Sequence, residues 1–216
     1  MQKIIVWGAS GHALVVIDAL AQQTNYSIVG LIDDINPQLH GSYFHGLPIL
    51  GGREQVTILK EQGINCAFVA IGNNQARIRE SNYLRSLSFD LLTAIHPRAI
   101  IAPDVNIGSG TVICAGAVVT PAAQIGQDVI INTSASVDHE CIVEDGVHIG
   151  PGVHIGGRAT IKHGAWIGIG AVVSDRITIG MNTIVGAGSV VVRDIPPGVV
   201  AYGVPAKIMR KIDQSA

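Results

Sequence analysis

The chain has 216 residues, of which 48% are hydrophobic but only 4% aromatic, and 26 are glycine. Because aromatic side chains usually supply much of a buried core, this composition predicts a core of Ile, Val and Ala between closely stacked backbone layers. The formal net charge is −2 and no basic block occurs, which excludes the electrostatic support that nucleic-acid binding needs. No apolar run approaches the roughly 20 residues of a membrane span.

Cysteine usage and the N-terminal sequence bear on the compartment. Cys66, Cys114 and Cys141 match neither a zinc nor a disulfide spacing, and we see no basic segment followed by an apolar stretch that would mark a signal peptide. We therefore expect a cytoplasmic protein that binds no metal and contacts neither a membrane nor nucleic acid.

Residues 1–95 alternate between strand-like and helix-like segments. Lys3–Trp7 reads as a strand that leads into a helix ending near residue 21, and Ser27–Ile32 reads as a second strand. Cys66–Ile71 reads as a third strand, before a helix near residues 75–87. This alternation predicts a small Rossmann-like parallel sheet, whose ligands would lie at the carboxyl ends of its strands.

The polar turns after these strands are candidates for a nucleotide site. The first turn has the pattern G-x-x-G-H instead of G-x-G-x-x-G, so the dinucleotide fingerprint is absent, but a short loop before a helix N-terminus suits a phosphate. Asp33 and Asp34 follow the second strand, where an acidic residue often meets a ribose. Each feature alone has a plain structural alternative, a tight turn or a capped loop. Together the three turns favour a nucleotide.

The second half of the chain carries an uninterrupted repeat of six residues. Ile or Val occupies seventeen consecutive positions from Ile95 to Val191 at this spacing, with a glycine directly after many of them. A period of six fits neither an α-helix nor an alternating strand. It predicts a three-sided solenoid over residues 96–216, about 27 Å tall at the spacing of paired strands, in which the glycines permit positive φ at the corners.

The whole pattern resembles one family. The opening V-W-G-A-S-G-H, the segments Ala70–Asn74 and Asn132-Thr133, the D-H-E-C of Asp138–Cys141 and the final G-V-P-A-K are similar to the sialic acid O-acetyltransferase (NeuD-like) sugar O-/N-acyltransferases. The resemblance implies a left-handed β-helix, acetyl-CoA as co-substrate and no metal. It implies N-acetylation of the 4-amino group of a nucleotide-linked 4-amino-4,6-dideoxy sugar for a bacterial surface polysaccharide.

The same resemblance assigns the catalytic pair. His139 matches the family's catalytic position, and Glu140 follows it directly and can orient the imidazole. His139 also stands outside the Ile/Val ladder, with Pro121 and Gly157 one coil away on either side. A solvated surface histidine is the alternative reading. Cys141 stands where small residues otherwise occur, so we interpret it as a core residue and expect direct transfer without an acetyl-enzyme.

Binding residues follow from the resemblance as well. Trp166 and His148 should lie at one corner of neighbouring coils and form a slot for the pantetheine arm, although Trp166 packed on a neighbouring subunit is equally compatible. Gly157 is a candidate oxyanion donor. Lys207, Arg210 and Lys211 would meet coenzyme phosphates or belong to a solvated C-terminal helix. The predicted acetyl-CoA residues are His148, Gly157, Ile169, Ala187 and Lys207. The predicted sugar-nucleotide residues are Gly8, Ser10, Gly11, His12, Asp33, Asp34, Ala70, Gly72 and Asn73.

Three other functions are compatible with parts of this sequence. An O-acetyltransferase of sialic acid or another sugar hydroxyl would keep the fold and coenzyme, and a zinc hydratase would need three converging histidines. A non-catalytic scaffold would not need the D-H-E-C and G-V-P-A-K motifs. The repeat does not specify the nucleotide base or sugar isomer and gives no role to His154 or His163. Acetyltransferases with this solenoid are generally trimers, so we expect a homotrimer.

Overall fold

A computed structural model describes residues 1–23 and 25–212 of the protein. The chain divides into two compact units, Met1–Pro97 and Arg98–Ala216. The boundary expected from the sequence, between residues 95 and 96, lies two residues earlier.

The N-terminal unit is built on a six-stranded sheet in the order β3-β4-β2-β1-β5-β6, parallel except for the β3–β4 hairpin. The central strand β1 is buried from Ile4 to Trp7, so the unit has its core around this strand. Its elements are β1 (Gln2–Trp7), α1 (Gly11–Ala21), β2 (Tyr26–Ile32), a 3-10 turn (Pro37–Leu39), β3 (Tyr43–Phe44), β4 (Leu47–Gly51), α2 (Glu54–Glu61), β5 (Cys66–Val69), α3 (Asn74–Ser86), β6 (Asp90–Leu91) and β7 (Ala94–Ile95).

The predicted parallel sheet is confirmed, and it contains three further strands that the sequence did not reveal, β3, β4 and β6. The third predicted strand ends at Val69 and not at Ile71. Pro48 lies inside β4, and a proline normally argues against an interior strand. Helix α2 was also missed because only Val56 and Leu59 of its side chains are buried.

The C-terminal unit is a left-handed parallel β-helix whose strands are two residues long, apart from the last two. Its strands are β8 (Ile100–Ile101), β9 (Asn106–Ile107), β10 (Val112–Ile113), β11 (Val118–Val119), β12 (Gln124–Ile125), β13 (Ile130–Ile131), β14 (Ser136–Val137), β15 (Ile142–Val143), β16 (His148–Ile149), β17 (His154–Ile155), β18 (Thr160–Ile161), β19 (Trp166–Ile167), β20 (Val172–Val173), β21 (Thr178–Ile179), β22 (Ile184–Val185), β23 (Val190–Val191), β24 (Val199–Gly203) and β25 (Ala206–Lys211).

Strands eighteen residues apart pair in parallel and form three faces. The first face contains β10, β13, β16, β19, β22, β24 and β25; the second contains β8, β11, β14, β17, β20 and β23; the third contains β9, β12, β15, β18 and β21. Every ladder position from Ile113 to Val191 is buried, whereas Ile101 and Ile107 are only partly buried. Each buried branched side chain contributes about 1.5–3 kcal/mol, so the predicted ladder is the core.

The glycines that follow ladder residues serve a different purpose from the one expected. Gly126, Gly156 and Gly168 do not have positive φ. A Cβ on any of them would lie within 2.4–2.7 Å of an atom in the next coil. Positive φ occurs instead three residues after each ladder residue, at every such position from Gly110 to Gly188, with values between 53° and 78°. The expected role of glycine at corners is therefore confirmed at positions such as Gly110 and Gly116, but not at the glycines that follow ladder residues, where close stacking of coils excludes a side chain.

The last residues that the structure describes form a hairpin and not the solvated helix considered above. β25 pairs antiparallel with β24, and Lys207, Arg210 and Lys211 all lie on β25. Residues 206–211 are good helix formers in isolation, but pairing with a neighbouring strand overrides that propensity. Among the residues that the structure describes, no helix is long and apolar enough to cross a membrane.

Candidate active site

His139 lies at the corner between β14 and β15, and its side chain is 46% exposed. Its Nδ1 is 3.0 Å from Oε2 of Glu140. Its backbone N–H donates to Oδ1 of Asp138 over 2.7 Å, and the Thr120 hydroxyl donates to the same oxygen over 3.0 Å. The backbone and the ring of His139 are thus both held by carboxylates, as the adjacent residues D-H-E suggested for the ring.

Close packing of Gly157 against the imidazole is the second feature of this corner. Gly157 occupies the equivalent position in the next coil, and a Cβ there would lie 2.6 Å from Nε2 of His139. Any other residue at position 157 would displace the imidazole. The backbone N–H of Gly157 as an oxyanion donor stays a prediction.

Arg158 completes the cluster and was not identified from the sequence. Its Nε and Nη2 donate to Oε2 of Glu140 over 3.0 and 2.9 Å, and its backbone N–H donates to the carbonyl oxygen of His139 over 2.9 Å. Arg158 stands eighteen residues after Glu140, so the repeat itself was the signal that could have paired the two.

These contacts define the ionisation of the corner. Hydrogen bonds from Arg158, and next from His139, hold the pKa of Glu140 below its usual value, while the backbone N–H of His139 does the same for the pKa of Asp138. Since an ionised carboxylate only accepts hydrogen bonds, Nδ1 of His139 carries the proton that it shares with Glu140. Nε2 then keeps its lone pair and can act as a base.

Cys141 does not provide a nucleophile. It is fully buried, its Sγ is 3.2 Å from the carbonyl oxygen of Gly156, and burial raises the pKa of its thiol. A buried thiol with a raised pKa carries little thiolate, which is the reactive form.

A groove of about 350 Å³ runs along the first face of the solenoid and the corner that follows it. His148 and Trp166 pair directly on β16 and β19, and their rings stack with centroids 5.9 Å apart at 18°. They therefore lie on a face, whereas we had expected them at a corner. The groove is lined by Asn132, His148, Gly150, Pro151, Trp166, Gly168, Ile169, Ile184, Val185, Gly186 and Ala187.

Three of the five predicted acetyl-CoA residues line this groove: His148, Ile169 and Ala187. Gly157 and Lys207 do not. Gly157 belongs instead to the His139 corner, and Lys207 lies opposite Tyr202 in the terminal hairpin. Gly150 and Gly168, for which no binding role was predicted, also line the groove.

A pocket of about 120 Å³ lies at the carboxyl ends of the parallel strands in the N-terminal unit. Of the predicted sugar-nucleotide residues, Gly8, Ser10, Asp33 and Asp34 line it. Gly11, His12, Ala70, Gly72 and Asn73 do not. Two of these five have other roles: the backbone of Ala70 packs against Gly8, and the side chain of Asn73 caps α3 by accepting from Ala76.

The two aspartates of the pocket differ in exposure. Asp33 is 5% exposed and accepts from the backbone of Ile35 and from both the backbone and side chain of Asn36. Asp34 is exposed and accepts from Nε1 of Trp7 over 3.1 Å and from the backbone N–H of Arg53 over 2.6 Å. Asp33 therefore shapes the loop, while Asp34 presents a carboxylate to solvent.

Arg79 and Glu80 also line this pocket and were missed. The Glu80 carboxylate is buried and bridges Arg79 over 2.7 Å and Arg53 over 3.2 Å. Both residues lie on α3, where nothing in the sequence distinguished them from a solvated helix face.

The remaining histidines of the solenoid, His154 and His163, do not line the groove. His154 is 2.8 Å from the Ser136 hydroxyl on the second face, and the backbone of His163 donates to Glu144. Within residues 1–23 and 25–212, no three His, Cys, Asp or Glu side chains are grouped so that they could hold a metal ion. A zinc hydratase site is therefore not formed by those residues of this chain.

Each of the two units matches a known protein family. Residues 3–84 match the family model of the PglD N-terminal domain, and residues 158–193 match that of the bacterial transferase hexapeptide, six repeats. The structure of a His-to-Asn mutant of perosamine N-acetyltransferase from Caulobacter crescentus, in complex with CoA and GDP-perosamine, superposes with a TM-score of 0.92 and 38% identity over 97% of both chains. The chain belongs to the PglD-like hexapeptide-repeat acetyltransferases.

Two further relatives fit this acetyltransferase family. The acetyltransferase domain of PglB from Neisseria gonorrhoeae FA1090, in complex with acetyl coenzyme A, has a TM-score of 0.90 and 36% identity over 96% of this chain and 99% of that one. UDP-N-acetylbacillosamine N-acetyltransferase from Bacillus subtilis (strain 168) is 35% identical over 118 residues. That match spans 53% of this acetyltransferase and about half, 52%, of the curated relative.

Proposed function

We propose that this chain transfers the acetyl group of acetyl-CoA directly to the 4-amino group of a nucleotide-linked 4-amino-4,6-dideoxy sugar, with His139 as the general base. The observation that carries the proposal is the hydrogen bond between Nδ1 of His139 and Glu140, which places the lone pair of the neutral ring on Nε2, the nitrogen beside Gly157. Relatives named for N-acetyl transfer to perosamine and bacillosamine support an amino-sugar acceptor.

The transfer balances without an acetyl-enzyme. The acceptor amine attacks the thioester carbonyl carbon as Nε2 of His139 removes a proton from its nitrogen. The resulting oxyanion is stabilised by a backbone N–H, for which Gly157 is the candidate. Collapse of the tetrahedral intermediate breaks the carbon–sulfur bond, and the imidazolium returns its proton to the departing thiolate of CoA.

The two pockets suit the two substrates. The groove on the first face is lined by glycines, small aliphatic residues and the His148–Trp166 stack, which fits a thin, largely apolar pantetheine arm. The pocket of the N-terminal unit combines a helix N-terminus with the exposed Asp34 carboxylate, which fits a phosphate and a hydroxyl-bearing nucleoside.

A homotrimer is part of the proposal. The groove lies on the first face and the corner that follows it, whereas His139 lies at the corner between the second and third faces. None of the groove-lining residues belongs to the His139 corner, so a complete site requires the corner of a neighbouring copy. Exposed apolar residues on the solenoid, such as Ile100, Ile142 and Val172, favour burial between subunits.

A cytoplasmic location and a role in bacterial surface polysaccharide synthesis belong to the same proposal. The three cysteines are free and buried, as expected in a reducing compartment.

The experiment is an acetyl-transfer assay with UDP-, GDP- and dTDP-linked 4-amino sugars, in which release of the CoA thiol is followed. We expect thiol release with at least one amino sugar, none with the matching 4-hydroxy sugar, and a loss of kcat of about 10² to 10⁴ in His139→Ala. His154→Ala, which removes a surface imidazole, is the matched control and should retain activity. Transfer to the hydroxy sugar alone, or an unchanged kcat in His139→Ala, would overturn the proposal.

A further inference from the structure

The Glu140 carboxylate is shared between two partners from different coils. One oxygen, Oε2, accepts a hydrogen bond from Nδ1 of His139 in its own coil. It also accepts from Nε and Nη2 of Arg158 in the next coil, and all three N···O distances are at most 3.0 Å. We propose that Arg158 is a positioning residue of the acetyl transfer, which fixes Glu140 so that His139 keeps its proton on Nδ1. This inference rests on the proposed role of His139 as the base.

Glu140 needs a second anchor because little else restrains it. Its side chain is 49% exposed, and a free glutamate side chain loses considerable rotamer entropy when it is fixed. A hydrogen bond from one imidazole does not by itself define the direction of the carboxylate. The guanidinium does, since Nε and Nη2 lie in one plane and approach the same oxygen.

Arg158 is also tied to His139 through the backbone. Its N–H donates to the carbonyl oxygen of His139 over 2.9 Å, so any shift of Arg158 is transmitted to the same corner. Both Glu140 and Arg158 have left-handed backbone conformations, with φ of 58° and 61°. Their side chains therefore leave equivalent corner positions one coil apart, which explains how they meet.

The consequence concerns which nitrogen of His139 is protonated. With Glu140 fixed as an acceptor at Nδ1, the neutral ring has its lone pair on Nε2, the nitrogen that lies next to Gly157. If the carboxylate swings away, Nδ1 and Nε2 compete for the proton, and rings protonated at Nε2 cannot accept one from the amine. Loss of Arg158 should thus lower the fraction of competent rings without removing the base.

Arg176 supplies a matched control for the test. It occupies the same corner position one further coil along, with φ of 58°, and its side chain lies 4.0 Å from Asp175, whereas Glu140 is bound by Arg158. Arg158→Ala and Arg176→Ala therefore place the same residue in the same backbone conformation. Arg158→Lys keeps the charge but not the planar pair of donors.

The first measurement is steady-state kinetics on the 216-residue chain, with the amino-sugar substrate that the thiol-release assay identifies. Arg158→Ala should lower kcat about tenfold, less than the loss expected for the base itself, while KM for the sugar nucleotide stays within about twofold. Arg158→Lys should recover part of the loss, and Arg176→Ala should match the wild type. A rise in KM at unchanged kcat would show instead that Arg158 binds substrate, and would overturn the inference.

The second measurement determines which nitrogen of the His139 ring is protonated. In ¹⁵N NMR spectra at neutral pH, the His139 signals, assigned by their absence in His139→Ala, should show protonation at Nδ1 in the wild type and in Arg176→Ala. Arg158→Ala should shift the ring toward protonation at Nε2. An unchanged tautomer in folded Arg158→Ala would refute the positioning role even if the wild-type enzyme is active. Absence of activity in the wild type would count against the proposed function alone.

Discussion

Gly157 and His139 stack one coil apart so closely that a Cβ on the glycine would lie 2.6 Å from Nε2 of the imidazole. The glycine has no positive φ, and its neighbours in this direction are all atoms of the His139 ring. Glycine is required at position 157 because any larger side chain would clash with the His139 imidazole, and not because the backbone there needs a positive φ.

Gly157→Ala should therefore impair catalysis much more than folding. The alanine methyl group would displace the imidazole, and a misplacement of about 1 Å can cost roughly 10²-fold in rate. The free energy of unfolding should stay within about 1 kcal/mol of the wild-type value, because alanine also reduces the entropy of the unfolded chain. Kinetics and urea denaturation of the same sample test both statements.

A double variant separates displacement of the ring from other effects of the methyl group. In a His139→Ala background the clash is gone, so adding Gly157→Ala should cause no further loss of activity. A further tenfold loss there would mean that position 157 acts independently of His139, for example through its backbone N–H.

The lowered pKa of Glu140 predicts how the stability of the fold depends on pH. Hydrogen bonds from Arg158 and then His139 lower the pKa of Glu140 below its ordinary value near 4.5. A carboxylate with a depressed pKa in the folded state stabilises the fold above the unfolded-state pKa, and that contribution is lost as pH falls through the folded-state value. The free energy of unfolding of Glu140→Gln should therefore decline less below about pH 4.5 than that of the wild type.

Urea denaturation between about pH 3 and pH 7 checks this slope. Glu61→Gln, at the exposed end of α2, is the control and should reproduce the wild-type decline. Equal slopes in the wild type and Glu140→Gln would contradict the contacts described for Glu140.

The solenoid was predictable because its determinants are periodic. A buried Ile or Val every six residues directly specifies both the core and the pairing of residues eighteen apart, and His139 and Glu140 are neighbours in the chain. The Arg158–Glu140 contact also obeys that spacing, but it depends on two left-handed corners that side-chain identity does not reveal. Arginine and glutamate have no special preference for this conformation.

Predictions from the sequence failed where contacts with distant parts of the chain determine the local structure. The segment 206–211 contains Ala, Lys, Met and Arg, which favour helices, yet it pairs with β24 and forms a strand. Strand β4 accepts Pro48 inside the sheet. In the same way, the second wall of the N-terminal pocket comes from Arg79 and Glu80, which become significant only once α3 is packed on the sheet.

Trp166 should contribute to coenzyme binding through its stack with His148. Replacing it with alanine removes one wall of the groove and the aromatic contact, which is worth about 0.5–1.5 kcal/mol beyond area burial. We expect the Kd for CoA, measured by isothermal titration calorimetry, to rise about tenfold, and Trp166→Phe to recover most of the affinity.

The alternative for Trp166 is packing on a neighbouring subunit, and the same variants distinguish it. Light scattering on Trp166→Ala should give the wild-type mass if the side chain faces the coenzyme. A change in mass together with an unchanged Kd would assign Trp166 to the subunit interface instead.

Mixed assemblies test whether one active site uses two chains. Ile169 lines the groove and is 59% exposed, so Ile169→Arg should block the coenzyme without disturbing the core, while His139→Ala removes the base from an intact groove. Each variant alone should be inactive. If His139 of one protomer serves the groove of another, unfolding and refolding the two variants together should restore activity to about one quarter of the wild-type value, since each site has an even chance of receiving each chain. If groove and base of the same protomer worked together, every chain in the mixture would lack one of them, and no activity would return.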